Sequence, residues 1–140
     1  MCIRDRDVSL ITDMSDLFLG KETFNDDISN WDVSNVTNMF RMFRDAMSFN
    51  SDISLWDVSN VTSTSQMFYN TAFNQDIGKW NTSKVTSMAG MFYGATKFNQ
   101  DLSSWCVSNL LEEPSGEYAF STLAALTQNN KPKWGTCPGD

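Results

Sequence analysis

The sequence predicts an α/β solenoid: one short parallel strand and one short helix in each coil of about 25 residues, closed by a C-terminal cap. Three observations predict it. "FNDDISNWDVSNVTNMF" begins at Phe24, and close copies begin at Phe49, Phe73 and Phe98. The apolar positions recur at the same places in every copy. After residue 109 the pattern stops and the composition changes.

The copies set the domain limits. Residues 24–48, 49–72 and 73–97 are three units, the middle one a residue short near Thr71, and 98–109 starts a last coil. Residues 7–23 hold the second half of an earlier unit, since "DVSLITDMSDLF" lies 25 residues ahead of "DVSNVTNMFRMF". Its first half is expected to be cut away. Residues 1–6, "MCIRDR", match nothing else in the chain and are read as a non-native leader. A unit of this length cannot bury its apolar face alone, so neighbouring units must stack.

Within the first full unit, Ile28, Trp31 and Val33 are spaced as L-x-x-L-x-L. The alternation at Trp31 and Val33 predicts a strand with both side chains inward. From Val36 the spacing becomes Val36, Met39, Met42/Phe43, Ala46, which predicts a helix capped by Thr37, with Thr12, Thr62 and Thr86 at equal positions. Stacking would then place Trp31, Trp56, Trp80 and Trp105 in one ladder. Phe43, Phe68 and Phe92 form a second. Asn25, Asn50, Asn74 and Asn99 form a third, expected to be buried and to satisfy turn backbone. Thr64 replaces a Met of the pattern and is expected to cost stability. Residues 110–140 form the cap, with a short helix expected at 121–128.

The totals exclude several functions. Among 140 residues there are 41% hydrophobic ones, enough for a core. The net charge of −7, without a Lys/Arg cluster, argues against nucleic acid and anionic membranes. No apolar run is long enough to insert into a membrane. His is absent, which removes the usual triads and most zinc sites. Evenly repeated acids single out no catalytic pair, so no enzyme, catalytic residue, metal or cofactor is expected. Asp27, Asp52, Asp76 and Asp101 form an acidic ladder, but without calcium-loop spacing, and Asp also caps turns. The Trp ladder could serve as a sugar platform, yet its spacing places it inside.

The outward positions of the predicted strands are the candidate binding face. They are Asn30, Asp32 and Ser34; Leu55, Asp57 and Ser59; Lys79, Asn81 and Ser83; and Ser104, Cys106 and Ser108. Repeat arrays bind partners on such faces. Cys106 and Cys137 are expected to pair, which implies an oxidising compartment.

The repeat "FNxDISxWDVSNVTxMxxMFxxA", over Asp7 to about Asn109, resembles the BspA-type bacterial leucine-rich-repeat surface proteins. "KPKWGTCP", from Lys131, is similar to the ending of such arrays. The resemblance implies a leucine-rich-repeat-like fold in an exported, cell-surface or secreted protein that adheres or binds. The partner would be a protein, an extracellular-matrix component or another cell-surface ligand. An export signal or anchor is expected outside this stretch. The alternatives are a carbohydrate- or calcium-binding array, or a structural spacer of a larger surface protein.

Overall fold

A computed structural model describes residues 6–139. The 25-residue units form successive coils of a stack, each hydrogen-bonded to the next. The coils are built from turns. The described residues contain no α-helix and no extended strand, only isolated parallel bridges joining Asp13, Asn38, Ser63 and Ser87 in series. The expected α/β leucine-rich-repeat solenoid is therefore corrected. No strand forms at Trp31–Val33 or its copies, and no helix follows Val36. The exposed sheet that would carry the candidate face does not exist.

The backbone explains why. From Met39 onward, every second N–H crosses to the following coil: Met39 donates to the Ser63 carbonyl (3.0 Å), Arg41 to Ser65 (3.0 Å), Phe43 to Met67 (3.0 Å) and Asp45 to Tyr69 (2.8 Å). The intervening N–H groups turn back three residues, Met42 to Met39, Arg44 to Arg41 and Ala46 to Phe43. All donors are thus satisfied without a helical ladder. Consecutive three-residue turns return a side chain to the inside every three or four positions. That spacing imitates a helix in the sequence. Two left-handed residues per coil make the path possible. Arg41 and Asp45 have φ of 52° and 58°, and Gln66 and Asn70, their counterparts, have 56° and 54°. An α-helix tolerates neither.

On the other side of each coil, tight turns replace the predicted strand: Trp31 donates to Ile28 (3.1 Å) and Val36 to Val33 (2.9 Å). Side chains join the coils there. The indole N–H of Trp56 donates to the Ile28 carbonyl (3.1 Å), that of Trp80 to Ile53 (3.2 Å) and that of Trp105 to Ile77 (2.9 Å). The Asn column does similar work from the surface. Asn25 Oδ1 accepts from the N–H of Asn50 (2.7 Å), Asn50 from Asn74 (2.8 Å) and Asn74 from Asn99 (3.1 Å). Asn25, Asn50 and Asn99 are exposed, contrary to the buried ladder expected. Thr37 caps nothing; its hydroxyl donates to the Thr12 carbonyl of the previous coil (3.2 Å), and Thr62 repeats this on Thr37 (3.0 Å).

The core is a double column of Phe rings flanked by Trp. Phe43 stacks on Phe49, six residues on, at 3.8 Å and on Phe68, its equivalent one period on, at 5.8 Å. Phe43, Phe49, Phe68, Phe73, Phe92 and Phe98 are fully buried. Coil 49–72 compensates for its missing residue with Thr71. The Thr71 hydroxyl donates to the Phe68 carbonyl (3.0 Å) and accepts from the Phe73 N–H (3.4 Å), replacing two backbone bonds of the longer coils. Thr64, buried in a Met position, donates to the Met91 sulfur (3.2 Å).

The cap contains two short 3-10 segments, Gly116–Tyr118 and Gln128–Asn130. The helix expected at 121–128 is absent; turns occupy that stretch. Phe120 is fully buried and meets Phe92 and Trp134 edge-on, at 5.3 and 5.0 Å. The disulfide Cys106–Cys137 ties the cap to the last coil. Apart from Arg6, the proposed leader lies outside the described residues.

Candidate functional site

The candidate binding residues lie on one face, and their chemistry divides into two kinds. The first kind is turn-locking. Asp32 Oδ1 accepts both the N–H (3.0 Å) and the hydroxyl (2.6 Å) of Ser34. Asp57 does the same for Ser59 (3.0 and 2.5 Å), and Asn81 for Ser83 (3.1 and 2.6 Å). These are Asx turns, in which a short polar side chain holds its own backbone two residues on. The Ser hydroxyls, and next the Ser N–H groups, hold the Asp32 and Asp57 carboxyls below their ordinary range. A neighbouring carboxylate opposes this in each case, Asp7 beside Asp32 and Asp32 beside Asp57. These six residues spend much of their polar capacity on the fold.

The second kind is unspent. Asn30, Leu55, Lys79 and Ser104 hold one equivalent position and are all exposed. Leu55 is 92% exposed. Among the described residues their side chains take part in no hydrogen bond. At this position the repeat changes chemistry in every coil: amide, aliphatic, ammonium, hydroxyl. Two shallow depressions that share Asp76 and Lys79 adjoin it, one lined also by Ser54 and Leu55, the other by Gly78, Trp80, Asp101 and Ser104. Gly78 stands where the other coils have Ser29, Ser54 and Ser103. A Cβ there would meet the Asp101 carbonyl at 2.6 Å. The Ser-to-Gly change in the repeat is the sequence signal for this close approach, and the sequence reading passed over it.

The acidic ladder is likewise engaged in turns. Asp52 accepts from the Ser54 N–H (2.9 Å), Asp76 from Gly78 (2.9 Å) and Asp101 from Ser103 (2.9 Å). Among the described residues, no three Asp, Glu, Cys or His side chains cluster as metal ligands. The Trp column cannot stack on a sugar, because all four rings are buried. Cys106 forms the disulfide, and Ser108 is exposed beside it.

A different ridge escaped the sequence reading. Arg44 lies over the Tyr69 ring at 4.5 Å, and Tyr69 stacks on Tyr93 at 4.8 Å. Arg41 sits over Phe40 at 4.7 Å and forks onto Asp16 through two 2.8 Å bonds. The signal was present, since these positions vary between units. The helix assignment concealed that they share one edge.

Among the described residues no helix is long and apolar enough to cross a membrane. No curated protein and no solved structure matches the chain. One family model matches residues 2–105 and again residues 70–136, the family described as "Mycoplasma protein of unknown function, DUF285". The first match alone spans well over half of the chain, and the chain belongs to the DUF285 family.

Proposed function

We propose that this chain is a non-enzymatic binding module of a secreted or cell-surface protein. It contacts a protein or extracellular-matrix partner through the column Asn30–Leu55–Lys79–Ser104 and the depressions beside it. The observation that carries this reading is the contrast on the face. Asp32, Asp57 and Asn81 are committed to their own turns, while the column beside them varies in chemistry and has no structural task. A 92% exposed leucine held on a rigid stack is an apolar anchor in search of a pocket. The disulfide supports an oxidising location. The resemblance to BspA-type surface proteins points the same way.

The test is capture by a panel of immobilised extracellular-matrix proteins, comparing the parent chain with Leu55→Glu/Lys79→Glu. Neither side chain supports the fold, so the melting temperature should hold while capture falls about tenfold or more. Undiminished capture by the folded double variant would remove the column from the binding surface.

A further inference from the structure

Coil 49–72 is one residue short, and the loss leaves a notch in the surface of the stack. Glu22, Met47 and Thr96 hold one position of the repeat, and coil 49–72 has no residue there. Between Met47 and Thr96 lies a depression of about 350 Å³, lined also by Asn70, Thr71, Ala72 and Lys97. The coils on either side, 24–48 and 73–97, are full length.

The missing residue leaves backbone groups unbonded. Ser48 donates its N–H to the Glu22 carbonyl of the coil before (3.0 Å). Lys97 is the counterpart of Ser48, and the carbonyl it would use belongs to the missing residue. Ala72 is the other counterpart of Ser48, and its N–H does not reach the Met47 carbonyl. Ala46 and Ala95 turn back on Phe43 and Phe92 (both 3.0 Å), whereas Thr71 at the same position bonds the Phe68 carbonyl through its hydroxyl. Among the described residues the N–H groups of Thr71, Ala72 and Lys97 therefore have no acceptor, and the Met47 carbonyl has no donor. Thr71 is buried and Ala72 half-buried, so water or a ligand must satisfy them.

The side chains add charge and an apolar wall. Lys97 is exposed and, among the described residues, its ammonium pairs with no carboxylate. No Asp or Glu lines the notch. Met47 is 53% exposed beside it. Three N–H groups and an ammonium suit a carboxylate, because hydrogen bonds to an ionised acceptor are the strong ones. The Met47 side chain suits a short apolar stem.

We propose that this notch binds a glutamate side chain of an extended peptide. The carboxylate accepts from Lys97 and from the unbonded N–H groups, and the methylene stem lies against Met47. The notch is open to solvent and covers only the end of a ligand, so a free acid gains little there. A peptide also brings a backbone N–H for the Met47 carbonyl, which a free acid lacks. None of the lining residues belongs to the Asn30–Leu55–Lys79–Ser104 column, and the proposal stands or falls independently of partner binding there.

The experiment is an amide and methyl NMR titration of the disulfide-intact full chain. The ligands are the blocked tripeptides Ala-Glu-Ala and Ala-Gln-Ala, and glutarate. Ala-Glu-Ala should shift the Thr71, Ala72 and Lys97 amides and the Met47 methyl in one saturable step. Ala-Gln-Ala should bind about tenfold or more weakly. Lys97→Met keeps the stem without the charge and should weaken Ala-Glu-Ala by a similar factor. Inserting one methionine between Thr71 and Ala72 restores the full period, fills the notch and should abolish the shifts. Absence of a response to Ala-Glu-Ala at these four residues overturns the proposal, as does an equal response to Ala-Gln-Ala or undiminished binding by the Lys97→Met chain. Glutarate binding as tightly as Ala-Glu-Ala overturns the assignment to a peptide.

Discussion

Trp56 donates its indole N–H to the carbonyl of Ile28, one coil earlier, at 3.1 Å. The bond is buried, and its copies at Trp80 and Trp105 join coils where no backbone ladder runs. Trp56→Phe removes the donor and leaves the Ile28 carbonyl with the Trp31 N–H alone. Loss of one such bond costs about 0.5–1.5 kcal/mol, with a further contribution from the smaller ring. Urea denaturation should show this destabilisation; a loss below about 0.5 kcal/mol would mean that the indole bond adds little to the joining of the coils.

Gly94 and Gly20 have the same φ of 69° and hold the same place in their coils. They differ in surroundings. A Cβ on Gly94 would collide with the Asn70 side-chain oxygen, while one on Gly20 meets nothing within 4 Å. Gly20→Ala should cost only the left-handed strain, about 1 kcal/mol. Gly94→Ala should cost clearly more, because Asn70 must move and release Asp45, to which its amide donates at 2.9 Å. Equal thermal shifts for the two variants would argue against the close approach.

Thr71→Val keeps the shape of the side chain and deletes the hydroxyl that completes the shortened turn. The Phe68 carbonyl and the Phe73 N–H both lose a buried partner. About 1–3 kcal/mol of destabilisation is expected in chemical denaturation. A neutral result would show that the turn closes without the hydroxyl.

The Cys106–Cys137 disulfide closes a separation of 31 residues, for which chain entropy suggests about 3–4 kcal/mol. Reduction should lower the melting temperature. Hydrogen exchange should accelerate first at Phe92, Gly94 and Leu102, whose N–H groups are held by cap carbonyls. Uniform acceleration through the whole stack would instead place the cap within one cooperative unit.

The Asp7, Asp32 and Asp57 carboxyls have folded-state pKa values below their ordinary one, chiefly through the Ser hydroxyls of their turns. A depressed carboxylate contributes stability above its unfolded pKa of about 3.9 and loses it as pH falls through the folded value. Thermal stability should therefore hold from neutral pH to about 4 and decline below that. Asn81 makes the same lock with no charge to titrate, so Asp57→Asn should retain the turn and reduce the acid-induced decline. A variant as acid-sensitive as the parent would show that the Asp57 lock makes no such contribution.

Some of this molecule is plain in its sequence. The places of Phe43, Trp56 and Val58 in the repeat mark them as inward, and all three are buried. The backbone path is not plain. Val36, Met39, Met42 and Ala46 satisfy a helical spacing, yet the same spacing arises when turns follow one another every three residues. Glycine would have betrayed the left-handed positions had it filled them all. Gly90 and Gly94 do so in one coil, but Arg41, Asp45, Gln66 and Asn70 conceal them in others. The cap was illegible for a related reason. Phe120 and Leu126 keep apolar character but not the letters of the repeat, and only the hydrogen bonds reveal their alignment. Sequence periodicity placed Asn30, Leu55, Lys79 and Ser104 at one outward position, and all four are exposed, but it could not separate Asp32, which locks a turn, from Asn30, which does not.

The uniform register between coils bears on how such a chain can change over generations. Each coil offers the next the same donors and receives the same acceptors, whatever its own surface letters. Excising or duplicating one period, cut at any phase, would rejoin compatible edges. The length of the array can therefore drift by whole units without a compensating mutation elsewhere. Single-residue losses are harder to absorb. The one in coil 49–72 falls at a turn, and there a threonine hydroxyl takes over the bonds of the missing residue.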